Sequence, residues 1–147
     1  MIRSLPRPLT DIALLASRIA LGVVLIAHGL QKLSNGWDAT AQGFAGMGIP
    51  AADVAAAFAI AVEIGGGALI ILGAFTTVAG LLVVVNMAGA LIFAHASAGV
   101  FVAEGGWELV AMIATTALVL AAVGAGRLSL DARLPGLRRL GAKPVTA

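Results

Sequence analysis

Four long apolar runs organise the chain, at roughly residues 12–33, 54–74, 77–96 and 107–123, with polar or glycine-rich breaks between them. A hydrocarbon core about 30 Å thick takes about 20 helical residues to cross; the first three runs meet that length and the fourth is slightly short. None alternates apolar and polar residues as a membrane barrel strand does. Hydrocarbon offers the backbone no hydrogen-bond partner, so each run predicts a helix. The expectation is an all-α integral membrane protein, a four-helix bundle with both termini cytoplasmic. The break at 73–77 is short enough to make the second and third helices an antiparallel hairpin. The break at 34–53 reads as a long Gly-rich loop from which Phe44, Met47 and Ile49 dip into the interface.

Composition supports lipid as the solvent. The 147 residues are 61% hydrophobic, with nine Lys or Arg against seven Asp or Glu, and the mean hydropathy is +1.07. One soluble core of this size does not hide so much apolar surface. Nineteen glycines fit helices that pack through small residues. With no cysteine, thiolate chemistry, disulfide exchange and sulfur-ligated metal centres are excluded.

The charges are sorted by position. Arg3 and Arg7 precede the first run, Arg127, Arg133, Arg138, Arg139 and Lys143 follow the last, and no Lys or Arg lies between Leu33 and Gly126. By the positive-inside rule both tails face the cytoplasm, and the breaks carrying Asp38, Asp53, Glu104 and Glu108 face outward. Trp37 and Trp107 flank the same outer boundary, where indole prefers to sit. The basic balance therefore reports topology, and no nucleic acid is an expected partner. The division that follows is a segment 1–11, a membrane domain 12–126 and a basic tail 127–147, broken by Pro135 and Pro144, that lies on anionic headgroups. A cleavable signal peptide competes for the first run, but the triplet Ala39-Thr40-Ala41 lies too far downstream to be its cleavage site.

Ionisable groups inside the spans carry the candidate chemistry, because each costs roughly 2.5–3.5 kcal/mol near mid-bilayer on insertion scales. Counting about 1.5 Å per residue from the run boundaries leaves Arg18 and Glu63 about 8 Å apart in depth, which two long side chains bridge as an ion pair. His28 and Lys32 fall within about 80° of Arg18 on a helical wheel and form one polar stripe. Lys32 is a snorkelling anchor or a contact for an anionic ligand. Asn86 comes near the depth of Glu63, whereas His95 points half a turn away from Asn86, so at most one of them joins the cluster. His28, Lys32, His95, Glu104 and Glu108 together suggest a polar vestibule at the outer mouth. No close ligand pair at helical spacing supports His28 or His95, so no metal is predicted. The bland alternative is that Arg18 and Glu63 only fix helix registry.

The run RIALGVVLIAHGLQKL from Arg18 to Leu33, the GIP at Gly48–Pro50, EIGGGALIILGAFT from Glu63 to Thr76 and GAGRLSLD from Gly124 to Asp131 together resemble the DoxX family of small four-helix membrane proteins. The chain departs from the family pattern at Thr77, where a basic residue is common. The resemblance extends to the quinone-reducing subunits of thiosulfate:quinone oxidoreductases. It implies a bacterial inner membrane location, membrane complexes handling sulfur compounds or oxidative stress, and quinone as the cofactor.

Three functions follow. In the first, the chain is a membrane subunit of a redox system and a soluble or membrane partner supplies electrons. Glu63 and His28 are then the catalytic pair, Glu63 gating the proton and His28 hydrogen-bonding a quinone carbonyl. Arg18 holds Glu63 charged, and Arg18, His28, Lys32, Glu63 and Asn86 form the ligand site. In the second, the bundle is a non-enzymatic scaffold that recruits partner proteins to the lipid bilayer. In the third it is a small-solute or proton pathway, which so small a bundle would form as a homo-oligomer.

Overall fold

The computed structural model describes residues 6–133. The expected positions Arg3, Pro135, Arg138, Arg139, Lys143 and Pro144 lie outside the described residues. Within them the chain is all helical: α1 Arg7–Ser34, α2 Trp37–Gly46, α3 Ala52–Leu72, α4 Thr76–His95, α5 Glu108–Val123 and the short α6 Leu130–Arg133. α1, α3 and α4 are long and apolar enough to cross a membrane, and α5 is a shorter apolar helix. The four-span expectation thus resolves into three full-length candidates and one of 16 residues, about 24 Å long at 1.5 Å per residue.

The helix limits have local causes. α1 begins with Pro8 in its first turn, where a missing N–H costs nothing. It therefore starts five residues before the apolar run, because Arg7–Asp11 is good helix although too polar to count as membrane. α3 ends at Gly73 with φ +64, a left-handed cap that a side chain would strain. The break at 34–53 is not a loop throughout. It contains α2, whose Thr40 and Ala41 are buried and whose Phe44 is half-buried. That i, i+1, i+4 spacing is a helical face, disguised in the sequence by Gly43 and Gly46.

α3 and α4 each contain one π-helical turn, Val62–Gly66 and Leu91–His95. Such turns insert one extra residue and are common at functional positions. The first of them carries Glu63.

α1 packs on the second half of α3, α3 on α4 and α4 on α5, and α1 meets α5 to close the bundle. Lipid supplies no hydrophobic drive between helices, so contact depends on close backbone approach. A Cβ at Gly22 would stand 2.6 Å from the carbonyl oxygen of Gly67, and one at Gly80 would stand 2.8 Å from that of Ala117. These glycines let α1 reach α3 and α4 reach α5. Leu21, Leu25, Ile70, Val83, Ile113 and Leu120 fill the space they enclose.

The two described chain ends meet at one end of the bundle, where the Arg127 amide donates to Asp11 Oδ1 at 2.9 Å. We call this the inner end, and the end carrying α2 and Trp107 the outer end.

Candidate functional site

Glu63 sits near the middle of α3 with its side chain 4% exposed. Gly29 of α1 lies level with it: a Cβ there would be 3.1 Å from Glu63 Cβ. Lys32, one turn further out on α1, turns inward and donates from Nζ to Glu63 Oε2 at 2.7 Å and to Oε1 at 2.9 Å. Asn86 of α4 adds a third hydrogen bond, Nδ2 to Oε1 at 3.3 Å. Above the pair, the Thr40 hydroxyl donates within reach of the Lys32 carbonyl oxygen at 3.0 Å and so ties α2 to the last turn of α1.

The inward lean of Lys32 has a simple origin. Every Cα–Cβ bond in a helix tilts toward the helix N-terminus. α1 runs from the inner to the outer end, so a long side chain in its last turn points back into the bundle rather than snorkelling outward. Among the described residues, Lys32 and Glu63 form the one salt bridge.

Arg18 does not pair with Glu63. It stands eleven residues before Gly29, about 16 Å along α1, and is fully buried at the inner end. Its Nη2 donates to the Leu128 carbonyl oxygen at 2.6 Å. Its Nη1 packs on Gly73, and Ser129 lines the same corner. The 8 Å depth estimate failed because it placed α1 and α3 by their hydropathy boundaries, whereas the glycine contacts set α3 further out along α1. Arg18 therefore also leaves the ligand set.

The segment after α5 builds the inner corner. Asp131 accepts from the amides of Phe75 and Thr76 at 2.8 and 2.9 Å, and its own amide donates to the Gly73 carbonyl oxygen at 2.8 Å. A carboxylate on the first amides of α4 supplies the cap that its local sequence lacks and complements the helix dipole. Asp131 also attracts the Arg18 charge. The Arg18 Nε and Nη1 and the Thr76 hydroxyl have no hydrogen-bond partner within the described residues. Sequence reading missed this latch; the signal available was the late Asp131 after a glycine-broken helix end.

His28 is half-buried one turn inside Lys32 and makes no hydrogen bond among the described residues, which leaves its ring nitrogens available. The expected outer vestibule does not assemble. His95 Nδ1 pairs with the Gly105 carbonyl oxygen at 2.6 Å, and Glu108 Oε1 accepts from the Val102 amide at 2.7 Å. Both side chains instead brace the loop between α4 and α5, and Glu104 is exposed. Among the described residues no group of three or more His, Cys, Asp or Glu side chains is placed to hold a metal ion.

Residues 13–96, from α1 through α4, match the DoxX family. The chain belongs to the DoxX family. The matched region contains Lys32, Glu63 and Asn86, while the inner latch at 124–131 lies beyond it. This DoxX chain is 33% identical over 128 residues to inner membrane protein YphA of Escherichia coli, covering 83% of the chain and 90% of the relative. It is 32% identical over 127 residues to the uncharacterized membrane protein Rv3486 of Mycobacterium tuberculosis, covering 80% of the chain and 78% of that relative. No solved structure matches. The DoxX chain is accordingly a multi-pass membrane protein.

Proposed function

We propose that the chain is the inner-membrane subunit of a redox or oxidative-stress system, binding a quinone headgroup at Lys32, Glu63 and Asn86 while a partner protein supplies the electrons. The carrying observation is a carboxylate buried in mid-span, inside a π-helical turn, and neutralised by an amine that keeps 25% of its side chain exposed. An ion pair serving registry alone gains nothing from that opening.

The donor set suits a neutral ligand with carbonyl oxygens. An ammonium has three hydrogens; two lie on Glu63, and the third is free to donate. The Asn86 carbonyl oxygen is free to accept from a hydroxyl. His28, partner-free and four residues before Lys32, is the group to meet a second ligand carbonyl. A bound quinone would supply the two-electron acceptor, which consumes two protons on full reduction. The ion pair would hold one transferable proton at a time: Lys32 would give it from Nζ, Glu63 would take up a replacement from water and return it to the amine before the second transfer, and Asn86 would fix the orientation of Oε1. With no cysteine, the electrons come from the partner. Arg18 has no part in this step and holds the inner latch closed.

The inner end, which carries Arg7, Arg127 and Arg133, is proposed to face the cytoplasm; the name of the E. coli relative supports the inner membrane.

The deciding experiment measures quinone binding by purified chain, comparing the parent with Glu63→Gln and Lys32→Met variants that elute like it. Saturable binding in the parent that weakens at least ~10-fold in both variants, a loss of about 1.4 kcal/mol, supports the reading. No binding by the folded parent retires it and leaves the scaffold.

A further inference from the structure

The inward faces of the helices are not equally closed along their length. Toward the inner end the core between the helices is closed: Leu25 is 1% exposed, Ile70 and Val83 0%, Leu120 1%, and Arg18 0% beneath them, while a groove lined by Leu14, Ser17, Thr115 and Thr116 lies between α1 and α5 beside that core. The latch at Leu128–Asp131 lies across that end. Toward the outer end, burial fades. On the inward face of α4 it runs from Val83 at 0% and Met87 at 5% to Ala90 and, past the π-helical turn, His95, both half-buried. On α1 it runs from buried Leu25 and Gly29 to half-buried Lys32.

We infer that Lys32, Glu63 and Asn86 form the floor of a one-sided polar well, open toward the end of the bundle that carries α2 and Trp107 and closed toward the corner built by Arg18 and Asp131. Protons reach and leave Glu63 from that side alone, and the single chain is not a through-path. The physical reason is the packing asymmetry. Glycine contacts draw α1, α3, α4 and α5 together in the inner half, where the close-packed apolar layer of Leu25, Ile70, Val83 and Leu120, between Glu63 and the Arg18 corner, gives water no room and no polar partners. In the outer half the Lys32 side chain stays 25% exposed and Asn86 half-buried. This property stands whether or not the ligand is a quinone.

The parent chain has no cysteine, so single-cysteine variants report cleanly in sealed vesicles treated on one side with a membrane-impermeant, positively charged methanethiosulfonate. Asp38→Cys marks the outer end and Arg133→Cys the inner end. Ala90→Cys and Asn86→Cys probe the well, and Val83→Cys the seal beneath it. Ala90→Cys adds one sulfur at a half-open position, and each variant is used only if it elutes like the parent. The expected result is that positions 86 and 90 react from the Asp38 side at least ~10-fold faster than from the Arg133 side, a barrier difference of about 1.4 kcal/mol, while position 83 reacts from neither. Faster reaction from the Arg133 side, or no reaction at 86 and 90 where both markers react, would overturn the inference. Neither outcome bears on quinone affinity, so failure here is distinguishable from failure of the proposed function.

Discussion

Replacing Lys32 by Met isolates what holds Glu63 in the membrane. The parent carboxylate is 4% exposed and accepts at 2.7, 2.9 and 3.3 Å, the first two from one ammonium. The substitution keeps the chain length and removes both short bonds, leaving a buried carboxylate with Asn86 alone. Two bounds set the magnitude: removing one partner of a buried pair costs about 3–5 kcal/mol, and a lone charge near mid-bilayer about 2.5–3.5 kcal/mol. Because Lys32 is a quarter exposed, the lower bound governs, and about 3 kcal/mol of destabilisation is expected. Glu63→Gln should cost less, about 1–2 kcal/mol, since the freed ammonium turns to the open side while Gln still accepts from Asn86. The double variant should cost no more than the Glu63 change, a coupling of roughly 3 kcal/mol, at the top of the range for directly paired residues. Reversible unfolding in mixed micelles, followed by Trp37 and Trp107 fluorescence, measures all three. A parallel cycle with Arg18→Met and Glu63→Gln should be additive to about 0.5 kcal/mol, as sites more than 10 Å apart are. Additivity in the Lys32 cycle, or strong coupling in the Arg18 cycle, would refute the pairing described here.

Other expectations concern the inner corner and α2. Gly73→Ala forces a side chain into φ +64 and onto the Arg18 guanidinium; it should cost about 1–3 kcal/mol by the overpacking range, read as a lower unfolding midpoint. Asp131→Ala removes the acceptor for the Phe75 and Thr76 amides and should cost about 1–2 kcal/mol, as lost helix caps do. Its specific signature is faster hydrogen exchange at those two amides, and unchanged exchange there would count against the latch. Gly43→Ala meets open space on an exposed helical face and should stabilise by about 0.5–1 kcal/mol; a destabilised variant would mean that α2 packs differently.

The membrane-crossing helices and their order are local properties of the chain. Apolar length and the exclusion of unpaired backbone from lipid fix helices at the four runs, and those rules need no neighbour. The sequence also singled out Arg18, Lys32 and Glu63, because a charge inside a span is costly wherever it lies, but not Asp131. It underread α2, where two glycines broke a helical face, and the first turn of α1, too polar to register as membrane. Which charges meet is set by how the helices pack. The axial offset between α1 and α3 comes from where Gly22, Gly29 and Gly67 let the backbones approach, and that offset moved Glu63 from Arg18 to Lys32. Whether Lys32 pointed to water or to Glu63 depended on a waiting partner as well as on the lean of its Cβ. The cap on α4 came from Asp131, 55 residues away in the chain from Thr76. Local sequence sets what a segment can be, while pairing between segments is set by packing register, which is a property of two surfaces at once.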